Sequence, residues 1–521
     1  MAGADIRCEM AQPVTELNDI QGIVRSGYGS LEDAVFLLLR VVDAAKAKAW
    51  LGAVAGGAAS PSYRVTSAGD LTTRQEQALQ IAFTAPGLNS LGLTEKLTHE
   101  FSREFYGGLA TEAAIAEGRS RRLGDLGTNA PAHWLWGAGT DVPDAVILLY
   151  AMKGALSPLL AQVKADIAAG FAIMQEFPTT NKALGNGDRL EHFGFIDGIS
   201  QPAIDWKAAR NPGDADVLEY GNLISAGEFL LGYTNEYGLY EQRPLLAPEQ
   251  DPDRILAPAG DAPGMRDFAR NGTFLVFRQL DQDVAGFWRF ASAKDPKSQG
   301  AALAEAMVGR KLGTGDPLVT KATAGIQGVG PDPRDIRGNG FTFYSDPEGL
   351  SCPIGAHIRR ANPRTADMPG GKQGLISRLL RMLGFKHGPP REDIVSSSRF
   401  HRILRRGRSY GAFVEPTQAG SSPAGLHFIC LNANLSRQFE FIQNAWLANP
   451  TFDGLSGEGD PLLGNRLDFP PGHPTDSFTL PQAAGPCQRI SSLPQFITVR
   501  GGAYFFLPSI RALRYLARAG K

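Results

Sequence analysis

The chain has 521 residues, with 52 Lys+Arg against 53 Asp+Glu, a net charge of -1, 43% hydrophobic and 20% charged residues. Its length exceeds that of one small binding module, and the near-neutral balance argues against intrinsic disorder and against bulk polyanion binding, including nucleic acid, driven by overall charge. The 61 Gly and 35 Pro lie above average usage but below the level of low-complexity chains, so long ordered loops are expected.

The four cysteines, Cys8, Cys352, Cys430 and Cys487, are far apart and form no CxxC pair. Neither a zinc ribbon nor a thioredoxin-like motif is available, and a reducing compartment fits. The first residues carry Asp5 and Glu9 and lack an apolar run or twin arginine, and no later apolar stretch reaches the ~18 residues of a membrane span. A cytoplasmic protein without a membrane span is expected.

One pattern recurs four times along the chain: a short apolar strand-like run, then an amphipathic helical pattern. Ala34 to Val41 (AVFLLLRV) precedes DAAKAKAWLGAV, with Asp43 placed as the helix cap. Ala145 to Met152 (AVILLYAM) precedes a helical stretch from about Ala155 to Ala169. TFLVFRQL from Thr273 precedes DQDVAGFWRFAS with Asp281 as cap, and LHFICLNANL from Leu426 precedes SRQFEFIQNAWLA with Ser436 as cap. Two strand-helix units per half predict an α+β fold of two ferredoxin-like domains with antiparallel sheets. A doubly wound parallel sheet would bring such units at closer intervals, and no GxGxxG or GxxxxGK[ST] follows any of the four runs.

The break between halves is expected near residues 205 to 225, giving domains 1–220 and 221–521. The Gly/Pro-rich stretch from Leu245 to Gly264 reads as a surface excursion. The basic segment Lys372 to His387 reads as a solvated insertion, with a lid as the alternative. YFFLPSIRALRYLARAG reads as a last strand and a closing helix.

Three clusters carry chemistry. HFGFIDGISQP, from His192, brackets Asp197 between Gly194 and Gly198, which sets a carboxylate on a tight turn. CPIGAHIRRANPR places His357 among Arg359, Arg360 and Arg364, an unlikely zinc site but one suited to a metal already carried by an anionic cofactor such as haem. RFHRILRRGRSYG offers Arg405, just after an Ile-Leu pair, as the expected donor if charge develops on a peroxide oxygen, with a nucleic-acid-type basic patch as the blander expectation.

With GFIDG matching a GxxDG signature, and HIRRANPR and ILRRGRSYG following in order, the chain resembles the dye-decolorizing peroxidases from DIQGIV to YFFLPSIRALRYLA. The resemblance implies two ferredoxin-like domains of the dimeric α+β barrel type and one haem b per chain, bound mainly by the second half. It implies reduction of hydrogen peroxide with oxidation of bulky dyes or phenols. It assigns Asp197 as distal acid-base residue, His357 as proximal iron ligand and Arg405 as distal arginine. Arg359 and Arg364 are expected at the propionates, with Gly198, Ile199, Leu426 and Phe428 around the haem. If the turn is shifted by one residue, Arg406 takes the place of Arg405.

Bulky dyes cannot enter a small pocket, so electrons are expected to pass through surface aromatics, Tyr410 first and Trp288 and Trp446 after it. Core packing is the blander expectation for each Trp. An aspartate near its ordinary pKa of ~3.9 predicts an acidic optimum for dye oxidation. Two other readings stand beside this one: a haem carrier for iron release or delivery, and a non-haem metal site of His192, Asp197 and His357. Any homo-oligomer is suggested by size and family alone.

Overall fold

The computed structural model describes residues 15–56, 61–110, 118–184, 188–208, 222–319, 339–343, 345–364, 397–413, 423–468, 472 and 474–518. The expected basic segment Lys372 to His387, the residue Cys8 and the 220/221 boundary lie outside these residues.

The first half runs β1 (Asp33–Val41), α1 (Ala44–Val54), β2 (Gln77–Phe83), β3 (Ala145–Ala151), α2 (Leu156–Ile167) and β4 (Phe171–Pro178). Its four strands lie in the order β2-β3-β1-β4, every neighbour antiparallel. This is the ferredoxin-like arrangement. From Ala34 to Leu39 the β1 run is apolar because both faces are covered: Val35, Leu37 and Leu39 enter one core, Ala34, Phe36 and Leu38 the other. Asp43 caps α1 by accepting from Lys46 N–H at 3.0 Å, and Ala47, Trp50, Leu51 and Val54 form its buried stripe.

The second half repeats the plan with β5 (Thr273–Gln282), α3 (Val284–Lys294), β6 (Leu404–Arg405), β7 (Arg408–Tyr410), β8 (Gly425–Asn432) and β9 (Ile497–Leu507). The order is β6-β8-β5-β9, again antiparallel, with β7 also on β8. Between β5 and β6 the chain adds α4 (Ala301–Val308) and α5 (His357–Ala361), and it closes with α6 (Ile510–Leu516). The two half-sheets meet through β9 and β2, at the single pair Phe506 and Phe83. Around this seam Phe101 packs on Phe506 and Phe274, with ring centroids 4.8 and 6.0 Å away. The nine-stranded sheet runs from β6 to β4 without a continuous ladder closing it, and the far edges are linked by one antiparallel bridge between Thr180, just past β4, and Ser409 of β7.

Three local expectations are corrected. Asp283, not Asp281, caps α3, accepting from Gly286 N–H at 2.8 Å, because β5 runs on to Gln282. The helical stretch after β8 is wound as two π-helical turns, Ser436–Glu440 and Ile442–Leu447, and Asn434 instead of Ser436 takes the Arg437 N–H at 2.8 Å. The Leu245 to Gly264 stretch is not simply a surface excursion: it contributes Leu245–Leu246 and Ala257–Pro258 to a three-stranded sheet with Arg266–Asp267, and buries Leu246 and Leu256 in the main core. Among the described residues no helix is long and apolar enough to cross a membrane.

Candidate active site

Successive side chains of a strand point to opposite faces, and this alternation builds one wall of a cavity of about 270 Å³. Arg278, Leu280 and Gln282 of β5, Leu426 and Phe428 of β8, and Ile497 and Val499 of β9 line it. Their registers match, Arg278 opposite Phe428 and Leu280 opposite Leu426. Val308 at the end of α4, Arg310 after it, and His357, Ile358 and Ala361 of α5 complete the enclosure with the turn that bears Phe195, Ile196, Asp197, Ile199 and Ser200. His427, between Leu426 and Phe428, faces the other way as the alternation requires, and packs among Phe36, Phe177, Phe277 and Tyr410.

His357 opens α5. Its Nδ1 lies 3.0 Å from Oδ2 of Asp460, whose other oxygen accepts from Leu462 and Leu463 N–H at 2.9 and 2.8 Å. Burial works to raise the Asp460 carboxyl, but His357, the Leu463 N–H and Arg360 outweigh it and hold the group below its ordinary value. An ionised Asp460 accepts only, so Nδ1 carries a proton, and in the neutral imidazole the lone pair lies on Nε2.

Asp197 and Arg405 meet on the same cavity. Arg405 Nη1 donates to Asp197 Oδ1 at 3.2 Å and Nη2 to the Ser200 carbonyl at 3.3 Å, while Arg405 N–H donates to Gln201 Oε1 at 2.9 Å. Gly198 follows Asp197 with φ +81° and donates its N–H to the Asp197 carboxylate at 2.6 Å. Gly198 itself stays outside the wall, whereas Ile199, Leu426 and Phe428 belong to it. The neighbouring Arg406 turns instead to the Ile23 and Val24 carbonyls at 2.7 and 2.9 Å and is absent from the wall.

Other expected site residues lie elsewhere. Arg359 is 1% exposed and held by the Asp346 and Cys352 carbonyls, the Asp346 carboxylate and the Phe343 ring, so it is not a cavity cation. Arg364 lies one layer behind Ser200, donating to it at 3.2 Å and to the Asn339 and Phe341 carbonyls at 2.8 and 2.7 Å. Tyr410 is not a surface aromatic: it is 8% exposed, its hydroxyl donates to Asp281, and its ring stacks on His427 at 4.3 Å. Burial, then the Asp281 bond, raise its pKa. Trp446 is buried in a core and Trp288 packs against another. His192 contacts the Tyr410 carbonyl and Phe413 away from the cavity wall, and among the described residues no group of three metal-ligating side chains occurs. The non-haem reading therefore loses its site.

Wall residues missed from sequence include Arg310, Glu191 and His401. Arg310 is 4% exposed, donates to the Gly315 carbonyl at 2.7 Å and shares the Phe341 ring with Arg364; burial, then Arg364 and Arg405, pull its pKa down to about 9. Glu191 lies just ahead of the recognised motif and is pushed up to about 7 by burial. His401 lines the wall, stacks on Phe441 at 3.7 Å, and is pulled down to about 4 by burial. An apolar cavity with one imidazole fixed for metal ligation and a crowded cationic corner fits a planar anionic metal macrocycle.

No family model matches the chain. It is 28% identical over 505 residues to the multifunctional dye peroxidase DyP2 of Amycolatopsis sp., covering 92% of this chain and 91% of that protein. It is also 28% identical to the dye-decolorizing peroxidase AauDyP1 of Auricularia auricula-judae, over 96% of this chain and 87% of that protein. A solved triple mutant of the decolorizing peroxidase of Auricularia auricula-judae superimposes with a TM-score of 0.69 at 24% identity, over 96% of this chain and 99% of that one. The Anabaena sp. DyP-type peroxidase gives 0.67 at 21%, over 96% and 94%. Two four-stranded ferredoxin-like halves carry an Asp-Arg pair and a carboxylate-backed histidine on one cavity, and along nearly its whole length the chain is similar to proteins named dye-decolorizing peroxidases, at 25–28% identity.

Proposed function

We propose that the protein binds one haem b per chain in this cavity and reduces hydrogen peroxide with Asp197, Arg405 and His357 as its working residues. The observation that carries the reading is the Asp197–Arg405 pair on the same wall system as the Asp460-backed His357. Bound there, haem supplies the redox centre at which peroxide takes up two electrons and donors give them one at a time.

His357 is the residue to ligate the iron through Nε2, with Asp460 fixing the tautomer and making the imidazole a better donor. Leu426, Phe428 and Ile199 supply apolar walls, and Arg310 is the cavity cation to face a carboxylate of the macrocycle, with Arg364 behind it. Asp197 takes the proton from one peroxide oxygen and returns it to the other, so that water is the leaving group. Arg405 holds the Asp197 carboxylate in place and faces the charge that grows on the departing oxygen.

Dyes and phenols are the proposed one-electron donors. Tyr410 serves as an internal relay, because its hydroxyl proton has an acceptor in Asp281 as the ring loses an electron. A protein that only stored or delivered haem would need no acid-base residue paired with an arginine.

The test is an absorption spectrum of haem-loaded protein before and after one equivalent of peroxide. A Soret band that His357→Ala loses, and a peroxide-induced shift that Asp197→Ala slows, support the assignment. A Soret band indifferent to peroxide would point to haem carriage instead.

A further inference from the structure

The turn that delivers Asp197 is folded around a second carboxylate. Glu191 accepts from Phe193 N–H at 2.9 Å on Oε2 and from Phe195 N–H at 3.0 Å on Oε1. The backbone closes the same loop: Glu191 N–H donates to the Phe195 carbonyl and Gly194 N–H to the Glu191 carbonyl, each at 2.9 Å. Leu190 and Ile196 form a bridge, and Asp197 N–H returns to the Arg189 carbonyl at 3.0 Å. Two anchors suspend this loop. Gln282 Nε2 donates to Glu191 Oε2 at 2.8 Å from the end of β5, and His192 Nε2 pairs with the Tyr410 carbonyl of β7 at 2.8 Å.

Glu191 and Gln282 both line the cavity. The three donors to the carboxylate are neutral, and the charge acting on it is that of Asp197. The ionisable groups on the elements packed against it are engaged elsewhere: Arg278 with Asp125, Asp281 with Tyr410 and Arg500, Arg405 with Asp197, and His192 with the Tyr410 carbonyl.

We propose that Glu191 is the positioning residue for Asp197: ionised, it closes the turn and fixes the Asp197 carboxylate beside Arg405, and on taking a proton from solvent it loosens that turn. The reason is stereochemical. Both oxygens already accept from N–H groups, so a protonated oxygen becomes a donor facing a donor, and one hydrogen bond is lost. Burial, against the three hydrogen bonds and with Asp197 adding to it, pushes the carboxyl up to about 7, so the change of state falls near neutrality. The inference rests on the peroxidase reading above.

Glu191→Gln reproduces the protonated form at every pH, since its amide NH2 also faces an N–H. The rate of the peroxide reaction of haem-loaded protein is measured for wild type and E191Q from pH 5.5 to 8.5. The ratio of wild type to E191Q is expected near one at the acid end and about tenfold or more at the alkaline end. A ratio independent of pH overturns the proposal. Gln282→Leu removes a donor to the ionised form and is expected to move the wild-type inflection to higher pH; an unmoved inflection also overturns it. Should E191Q fail to fold, Gln282→Leu carries the test.

A readout independent of haem is an infrared pH titration of the haem-free protein. One protonated-carboxyl C=O component titrating near 7 is expected to vanish in E191Q, while that of Glu228, also pushed up to about 7, remains. No missing component overturns the assignment. Asp197→Asn separates the two failures. If it leaves the peroxide reaction untouched, the peroxidase reading itself fails; if it slows the reaction while the E191Q ratio stays flat, only Glu191 is rejected.

Discussion

Arg405 and Asp197 stand 208 positions apart in sequence and 3.2 Å apart in space, one on an edge strand of the second half and the other on a turn that ends the first. Because each holds the other, losing either should misplace the survivor. Asp197→Asn should slow the peroxide reaction by about 10²–10⁴ and Arg405→Leu by about 10²–10³. Stopped-flow rates of the double variant should show less than the product of the two losses.

Arg406 gives the contrasting expectation. Its guanidinium ties the Ile23 and Val24 carbonyls, so Arg406→Leu strands buried backbone acceptors. Thermal unfolding should show a lower Tm, while the peroxide rate per haem-loaded molecule should change far less than in Arg405→Leu.

Asp460→Asn tests the backing of His357. The two N–H donors on Oδ1 hold an amide with its oxygen toward them, which turns the NH2 toward His357 Nδ1 and forces the proton onto Nε2. Haem affinity should fall by about 10–100-fold in a Soret titration, and an unchanged affinity would remove Asp460 from the account.

Tyr410→Phe removes the proton that Asp281 accepts but keeps the ring stacked on His427. Turnover of a large dye should drop while peroxide reduction is spared. Equal loss of both would reject the relay.

His427 sets an acid limit on stability. Burial pulls its pKa to about 3, against an opposing Pro178 carbonyl, so between 6.5 and about 3 the unfolded chain binds a proton that the native chain refuses. Stability from this group is whole above 6.5 and falls with pH by about 1.4 kcal/mol per unit. Glu191 and Glu228 act in the opposite sense, since their raised values make the native chain gain protons as pH falls from about 7 toward 4.5. His427→Phe cancels only the histidine contribution. Denaturant melts should show the variant gaining on wild type between pH 8 and pH 4, and a pH-independent difference would contradict this.

The halves were legible in sequence because each strand run is apolar on both faces and each is followed by a helical pattern, as at Val35 and Phe36 of β1. The order of strands follows from the ferredoxin-like plan once those units are recognised. Spacing could not say which way a side chain turns. HIRR looks like one basic cluster, yet the short α5 sends Arg359 to Asp346 and Arg360 to the Trp446 and Glu458 carbonyls, leaving His357 on the cavity. Asp460 is 103 positions from His357 and carries no local mark of its role. The α3 cap was misread because β5 shifts register between Gln279 and Leu280 and extends beyond Asp281.

In the sheet ladder the halves pair only at Phe83 and Phe506, with further backbone bridges at Thr180–Ser409 and Trp136–Gly501, while Phe101 and Phe105 from one half interleave with Phe274 and Phe506 from the other. Aromatic packing at this seam is joined by Arg406 on the Ile23 and Val24 carbonyls and by Arg278 on Asp125, and Asp197 meets Arg405 only while the halves stay docked. Catalysis is thus a reporter of docking: on heating, turnover should disappear at the temperature where the halves part, even if each still keeps its own secondary structure.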